Sequence, residues 1–150
     1  MTIKVRQSGS TKTAVGMKIK HAGSVRRVSS VKVMDGGTLK VAAQFAPPLS
    51  VTASPTTVLG GAGSNYPAAA KTESTTVITS GGQAPFTYSW ARLSGGIGNA
   101  DQPSKATTTF TAVISPGSFD VTFRVTVTDA FGQTATADVL AKFVNYGGGF

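Results

Sequence analysis

The sequence predicts an all-β protein built in two parts, and three observations carry that expectation. Charged residues are only 13% of the 150, while Gly is 18 of them. Thr, Ser, Val and Ala fill the difference, a composition of short strands and turns rather than helices. The first 44 residues repeat with a period of 14, and each unit opens on an apolar–Lys–apolar alternation. The remainder alternates apolar and polar residues in short runs broken by Gly, Pro, Ser and Asn clusters.

The repeat fits without gaps. Unit one begins Ile3-Lys4-Val5, unit two Met17-Lys18-Ile19, and unit three Val31-Lys32-Val33. The seventh column is Gly9, Gly23 and Gly37, and the tenth is Lys12, Arg26 and Lys40. A Gly at a fixed place between two alternating runs marks a turn where positive φ is easy. Each unit is therefore expected to be a β-hairpin with a three-residue loop such as His21-Ala22-Gly23 or Asp35-Gly36-Gly37. In that register Ile19 faces Val25 and Val33 faces Leu39, while Lys18 faces Arg26 and Lys32 faces Lys40. The expected unit has an apolar face (Ile3, Val5, Met17, Ile19, Val31, Val33, Leu39) and a basic one (Lys4, Lys12, Lys18, Arg26, Lys32, Lys40).

The net charge of +8 sits entirely in this part. Residues 1–43 hold nine Lys or Arg and one acid, Asp35, and residues 44–150 hold five of each sign. Isolated hairpins are marginal in water, and like charges opposite one another cost stability. The apolar face thus asks for a partner: another copy, the C-terminal domain, or a different protein. The basic face suits docking on an acidic protein surface, binding of nucleic acid, or a solvated surface that deters edge-to-edge aggregation. Residues 1–43 contain no aromatic side chain for base stacking, which lowers the single-strand reading and leaves duplex phosphates.

Ala46-Pro47-Pro48 is the expected seam, since consecutive prolines stiffen a connection and end strand pairing. The parts are then residues 1–45, a linker at 46–48, a domain over 49–144 and a Gly-rich tail at 145–150, expected to move unless a neighbour holds it. Leu49–Ala53 is the first expected strand, followed by a loop over Gly60–Asn65. Thr75–Thr79, Pro85–Arg92 and Thr107–Val113 follow. Phe119–Thr128 is the clearest, with Phe119, Val121, Phe123, Val125 and Val127 inward. Ala130-Phe131-Gly132 turns the chain into Gln133–Phe143. Six or seven strands in about 100 residues is the count of an immunoglobulin-like sandwich. Trp90 alternates with Phe86 and Tyr88, which places it in the core rather than on a ligand.

Three stretches carry a family resemblance: Gly82-Gln83-Ala84-Pro85-Phe86-Thr87-Tyr88-Ser89-Trp90, Thr108-Thr109-Phe110-Thr111-Ala112, and Phe123 through Ala135 with its Val127-Thr128-Asp129-Ala130-Phe131-Gly132 hairpin. They resemble bacterial and phage Ig-like (PKD-like) domains over residues 49–144. No Gly-Asp-Gly run follows Trp90, and there is no Cys pair, so the match is to neither a PKD domain proper nor an antibody domain. The N-terminal repeat is similar to short repeats of phage tail-associated proteins. The resemblance implies a structural protein of a tailed-phage virion, in the tail, tail tip or fibre, with capsid decoration as the alternative. Its partners would be other virion proteins, copies of itself and, weakly, host-surface glycans.

Candidate chemistry is sparse. There is no Cys and one His, His21, which excludes disulfides, thiolate sites and clusters needing two imidazoles. Asp120, Asp129 and Asp138 form no arguable acid–base pair, and Asp129 fits a turn in which Asp bonds nearby backbone. Asp101 and Asp129 lack the closely spaced oxygen ligands of a calcium loop. Gly60–Ser64 lacks the Gly-Lys-Ser/Thr of a phosphate loop. The expectation is a protein that is not an enzyme, with no cofactor and no metal. The N-terminus lacks the apolar core of a secretion signal and no run reaches a membrane span, so the chain is expected in the virion after synthesis in the host cytoplasm, without membrane insertion.

Overall fold

The computed structural model describes residues 46–148 in full and, as backbone strands only, residues 17–21, 24–28, 30–35 and 38–44. The chain divides into two compact units, Met1–Ala46 and Pro47–Phe150. In the first, β1 (Met17–His21) pairs antiparallel with β2 (Ser24–Val28), and β3 (Ser30–Asp35) with β4 (Thr38–Gln44). The register differs by one residue from the expected one. His21 pairs with Ser24 and Asp35 with Thr38, which leaves two residues between the closing pairs instead of three. Ile19 is therefore opposite Arg26 and Val33 opposite Lys40. The slip gives mixed pairs such as Lys20 with Val25 and Lys32 with Val41, while Lys18 is opposite Arg27 and Met34 opposite Leu39. Unit one of the repeat, with Ile3, Lys4, Val5 and Lys12, lies outside the described residues.

The second unit is all-β, with ten strands: β5 (Ser50–Ser54), β6 (Thr57–Ala62), β7 (Ala68–Thr72), β8 (Thr75–Ser80), β9 (Thr87–Gly95), β10 (Asn99–Ala100), β11 (Thr107–Thr108), β12 (Phe110–Ile114), β13 (Gly117–Thr128) and β14 (Thr134–Asn145). Seven form one sheet in the order β10-β12-β7-β6-β14-β13-β9, and three form a second in the order β11-β8-β5. All neighbours are antiparallel except β6 and β14, which run parallel. The large sheet curls until its two edge strands, β9 and β10, come side by side, nearly closing a barrel.

Five connections cross between the sheets, and the three short ones are β5 into β6, β7 into β8, and β11 into β12. A strand changing sheets loses ladder partners, and buried backbone groups must find others. Buried threonines take up that role here. Thr75 Oγ1 donates to the Pro55 carbonyl (2.7 Å), and Thr72 Oγ1 donates to the Glu73 carbonyl (2.8 Å) while accepting from Phe110 N–H (2.9 Å). Thr108 Oγ1 donates to the Thr109 carbonyl and accepts from Gln102 N–H, both at 3.0 Å.

The core follows the sequence alternation. Val121, Phe123, Val125 and Val127 of β13 and Val139, Ala141 and Phe143 of β14 are buried without exposure. Phe110 stacks on Phe123 with ring centroids 4.0 Å apart, and Trp90 meets Phe110 edge-on at 5.5 Å. The Trp90 indole N–H donates to the Lys105 carbonyl at 3.0 Å, so its one polar atom is satisfied.

Two expectations are corrected. Gly60 and Gly61 lie in strand β6 rather than a loop. A Cβ on Gly60 would come within 3.0 Å of the Phe143 ring and 3.1 Å of the Lys71 backbone, so glycine there marks a close approach of neighbouring strands. The single expected strand Thr107–Val113 is two, β11 and β12, because the chain changes sheets at Thr109.

Candidate functional site

Two buried polar side chains close the two ends of the module. At one end is Asp129, 5% exposed, just after β13. Its Oδ1 accepts from the N–H groups of Phe131 (2.9 Å) and Gln133 (2.8 Å), which fixes the β13–β14 turn. Its Oδ2 accepts from Gln83 N–H (2.9 Å) and the Gln133 side-chain amide (2.8 Å), which ties in the β8–β9 loop. That Gln133 amide also donates to the Pro47 carbonyl (3.3 Å), and Gly82 N–H donates to the same oxygen (2.9 Å). Burial pushes the Asp129 carboxyl upward, but the hydrogen bonds from Gln133, Gln83 and Phe131 outweigh it and hold the carboxyl below its ordinary value.

At the other end is Asn145, 3% exposed, the last residue of β14. Its Oδ1 accepts from Ser64 N–H (3.0 Å) and Gly147 N–H (3.1 Å). Its Nδ2 donates to the carbonyls of Ile114 (3.0 Å) and Tyr66 (3.3 Å). Asn65 Oδ1 accepts from Gly148 N–H at 2.8 Å. Gly147 and Gly148, expected to move, are thus bonded to the module itself. These bonds hold up Tyr66 and Tyr146, 77% and 81% exposed, the two most exposed large apolar side chains among the described residues. Around them are Gly63, Ser64, Asn65, Pro67, Ser115, Pro116 and Gly117, with no charged residue in any of these turns. Tyr, Asn, Ser and Gly give rigid contact area and adaptable hydrogen bonding in binding loops generally. No feature of the sequence pattern singles out Tyr66, Tyr146 or Asn145; only the β6–β14 pairing joins them.

The acids raised as candidate chemistry have structural partners. Asp138 is held by Arg124 through two 2.7 Å hydrogen bonds, which pull its carboxyl down and push the guanidinium up. Asp120 pairs with Lys142 at 3.4 Å across the same two strands. Burial pushes Asp101 up, but hydrogen bonds from Thr109, Thr111 and Lys71 and the Lys71 charge bring its carboxyl below the ordinary value. Among the described residues no three His, Cys, Asp or Glu side chains gather as a metal set, and no helix is long and apolar enough to cross a membrane. Of the expected docking residues, Met17, Lys18, Ile19, Arg26, Val31, Lys32, Val33, Leu39 and Lys40 are described as strand positions only.

No family, no curated protein and no solved structure matches this chain.

Proposed function

We propose that the chain is a non-enzymatic structural protein of a tailed-phage particle, in the tail, tail tip or fibre. Residues 1–45 dock it into the particle through their basic and apolar columns, and the second unit is an immunoglobulin-like module. The observation that carries the reading is the connection order of the module. β9, β13 and β14 are neighbours in one sheet and β5, β8 and β11 in the other, an order that supports reading them as the C-F-G and A-B-E strands of an Ig-like sandwich. The engagement of Asp101, Asp120, Asp129 and Asp138 in ion pairs and turn bonds supports a module built to hold shape rather than to transfer protons.

The tyrosine end supports a contact role for the module. β14 runs twelve residues from beside Gln133 to Asn145, roughly 35 Å at strand rise, so the end holding Pro47 and the end holding Tyr66 and Tyr146 are opposite. A module tethered through Pro47 offers the uncharged tyrosine end to a host-surface glycan. Gold labelling of intact particles with an antibody against residues 49–150 tests this. Label on the tail is expected, and label on the head replaces it with capsid decoration. The absence of the chain from purified particles overturns both. The confinement of the +8 charge to residues 1–43 favours a second reading, a nucleic-acid-binding protein. It requires duplex affinity that falls steeply with salt and is lost when Lys4, Lys18 and Lys32 become Gln.

A further inference from the structure

Tyr66, in the β6–β7 turn, and Tyr146, just after β14, carry their rings in water on a backbone that is fixed. Tyr146 N–H donates to the Ala62 carbonyl at 3.0 Å, and the Tyr66 carbonyl accepts from the buried Asn145 amide at 3.3 Å. Tyr66 N–H donates to Ser64 Oγ at 3.1 Å. The Tyr146 ring lies beside Gly61 of β6, where a Cβ would sit 3.7 Å from Cε2. Glycine there puts no side chain over the ring, which leaves Tyr146 81% exposed.

A tyrosine face is electron-rich, and it attracts the polarised C–H groups on the apolar face of a pyranose. Small-ligand sites add a few placed polar groups to such a surface. Asn65 supplies one. Its Oδ1 accepts from Gly148 N–H at 2.8 Å, which orients the amide two residues from Tyr146. Its Nδ2 meets no acceptor among the described residues and can donate to a sugar hydroxyl. The turns carry no charge, and Lys71, opposite Gly61 in β7, has its ammonium on Asp101 at 3.3 Å. An acidic sugar therefore finds no unpaired counter-charge here. Two rings among glycine, serine and proline also fall short of the roughly 20–30 residues a side of a stable protein interface.

We propose that this end binds a neutral pyranose, its apolar face stacked on Tyr146 and its hydroxyls beside the Asn65 amide. The inference rests on the contact role proposed for the tyrosine end and names the class of sugar and the residue that carries the stacking.

Saturation-transfer NMR on the full chain tests it, since signals are read on the ligand and an oligomeric protein is tolerated. The probes are methyl β-galactoside, methyl β-glucoside and methyl N-acetyl-β-glucosaminide, with methyl β-glucuronide as the acidic counterpart. Saturable transfer to at least one neutral glycoside is expected, with millimolar affinity, as suits a ligand of about a dozen heavy atoms. The glucuronide should bind at least fivefold more weakly. Tyr146→Ala should weaken binding about tenfold or more, while Tyr146→Phe, which keeps the ring, stays within about threefold of the native chain. Phe131→Ala, which removes another exposed aromatic from the β13–β14 turn, should change nothing. No saturable transfer to any neutral glycoside overturns the proposal. So does a glucuronide bound equally well or better, binding undiminished in Tyr146→Ala, or an equal loss in Tyr146→Phe. Failed sugar binding with gold label on the tail removes this ligand and leaves the particle reading; sugar binding by a chain absent from particles does the reverse.

Discussion

The two ends of the module use one device in two chemistries. At the Pro47 end a buried carboxylate gathers three backbone N–H groups and a side-chain amide. At the tyrosine end a buried carboxamide accepts from two N–H groups and donates to two carbonyls. The carboxylate can only accept, so it suits a place where donors converge. The carboxamide bridges donors and acceptors together, which three separate chain segments require. The first lock titrates and the second does not. The end built on Asn145 therefore keeps its geometry in acid, while the Pro47 end at Asp129 is acid-sensitive.

The largest effect is expected from Asp129→Ala, which strands four donors at once. Its melting temperature should fall by roughly 10 °C, about what losing several buried hydrogen bonds implies for a domain of this size. Calorimetry of the variant checks this, and a loss under about 2 °C would remove Asp129 from its structural role. Asn145→Ala follows, at about 1 kcal/mol in denaturant unfolding, because its one buried side chain satisfies four backbone groups. Asn145→Asp sharpens the contrast. The ionised carboxylate would face the carbonyls of Ile114 and Tyr66, so its pKa is raised. That variant gains stability below the unfolded value near 3.9 and loses it as pH rises through the raised one.

The native protein shows the opposite sense at Asp129. Its folded pKa is depressed, so the contribution is complete above the unfolded value near 3.9 and is lost as pH falls through the lower folded value. Amide exchange should accelerate at Gln83, Phe131 and Gln133 below about pH 4, while Ser64 and Gly147 follow only the intrinsic rate. Equal loss of protection at the two ends would break the comparison. The smallest effect belongs to Arg124→Ala. Its pair with Asp138 is well formed but about 40% exposed on both sides, so its removal should shift the melting temperature least of these variants, as calorimetry would show.

How much of this was legible in the sequence differs along the chain. β13 and β14 were, because Phe119–Thr128 alternates without interruption and each inward residue from Val121 to Val127 is buried. Trp90 and Asp129 were also placed by pattern, one by its alternation with Phe86 and Tyr88, the other by the turn that follows it. β7 was missed because Ala68-Ala69-Ala70-Lys71-Thr72 has a single β-branched residue, Thr72, and no strong alternation. β6 was missed because a Gly-Gly pair reads as a loop when it marks close packing against Phe143. In the repeat, loop length, and with it the register, depends on one residue that a Gly column does not settle. What the sequence did not show was which segments meet at each end, since Gln83 with Asp129, and Ser64 and Ile114 with Asn145, are more than 20 positions apart and only the sheet order brings them together.

Covalent labelling of intact particles tests the central claim most directly, with lysine-selective and tyrosine-selective reagents read by mass spectrometry. The account predicts that Tyr66 and Tyr146 label at close to the rate of the free chain while Lys4, Lys18 and Lys32 are protected. Protected tyrosines with freely labelled lysines would contradict it, because the module and not the basic repeat would then be the docked part.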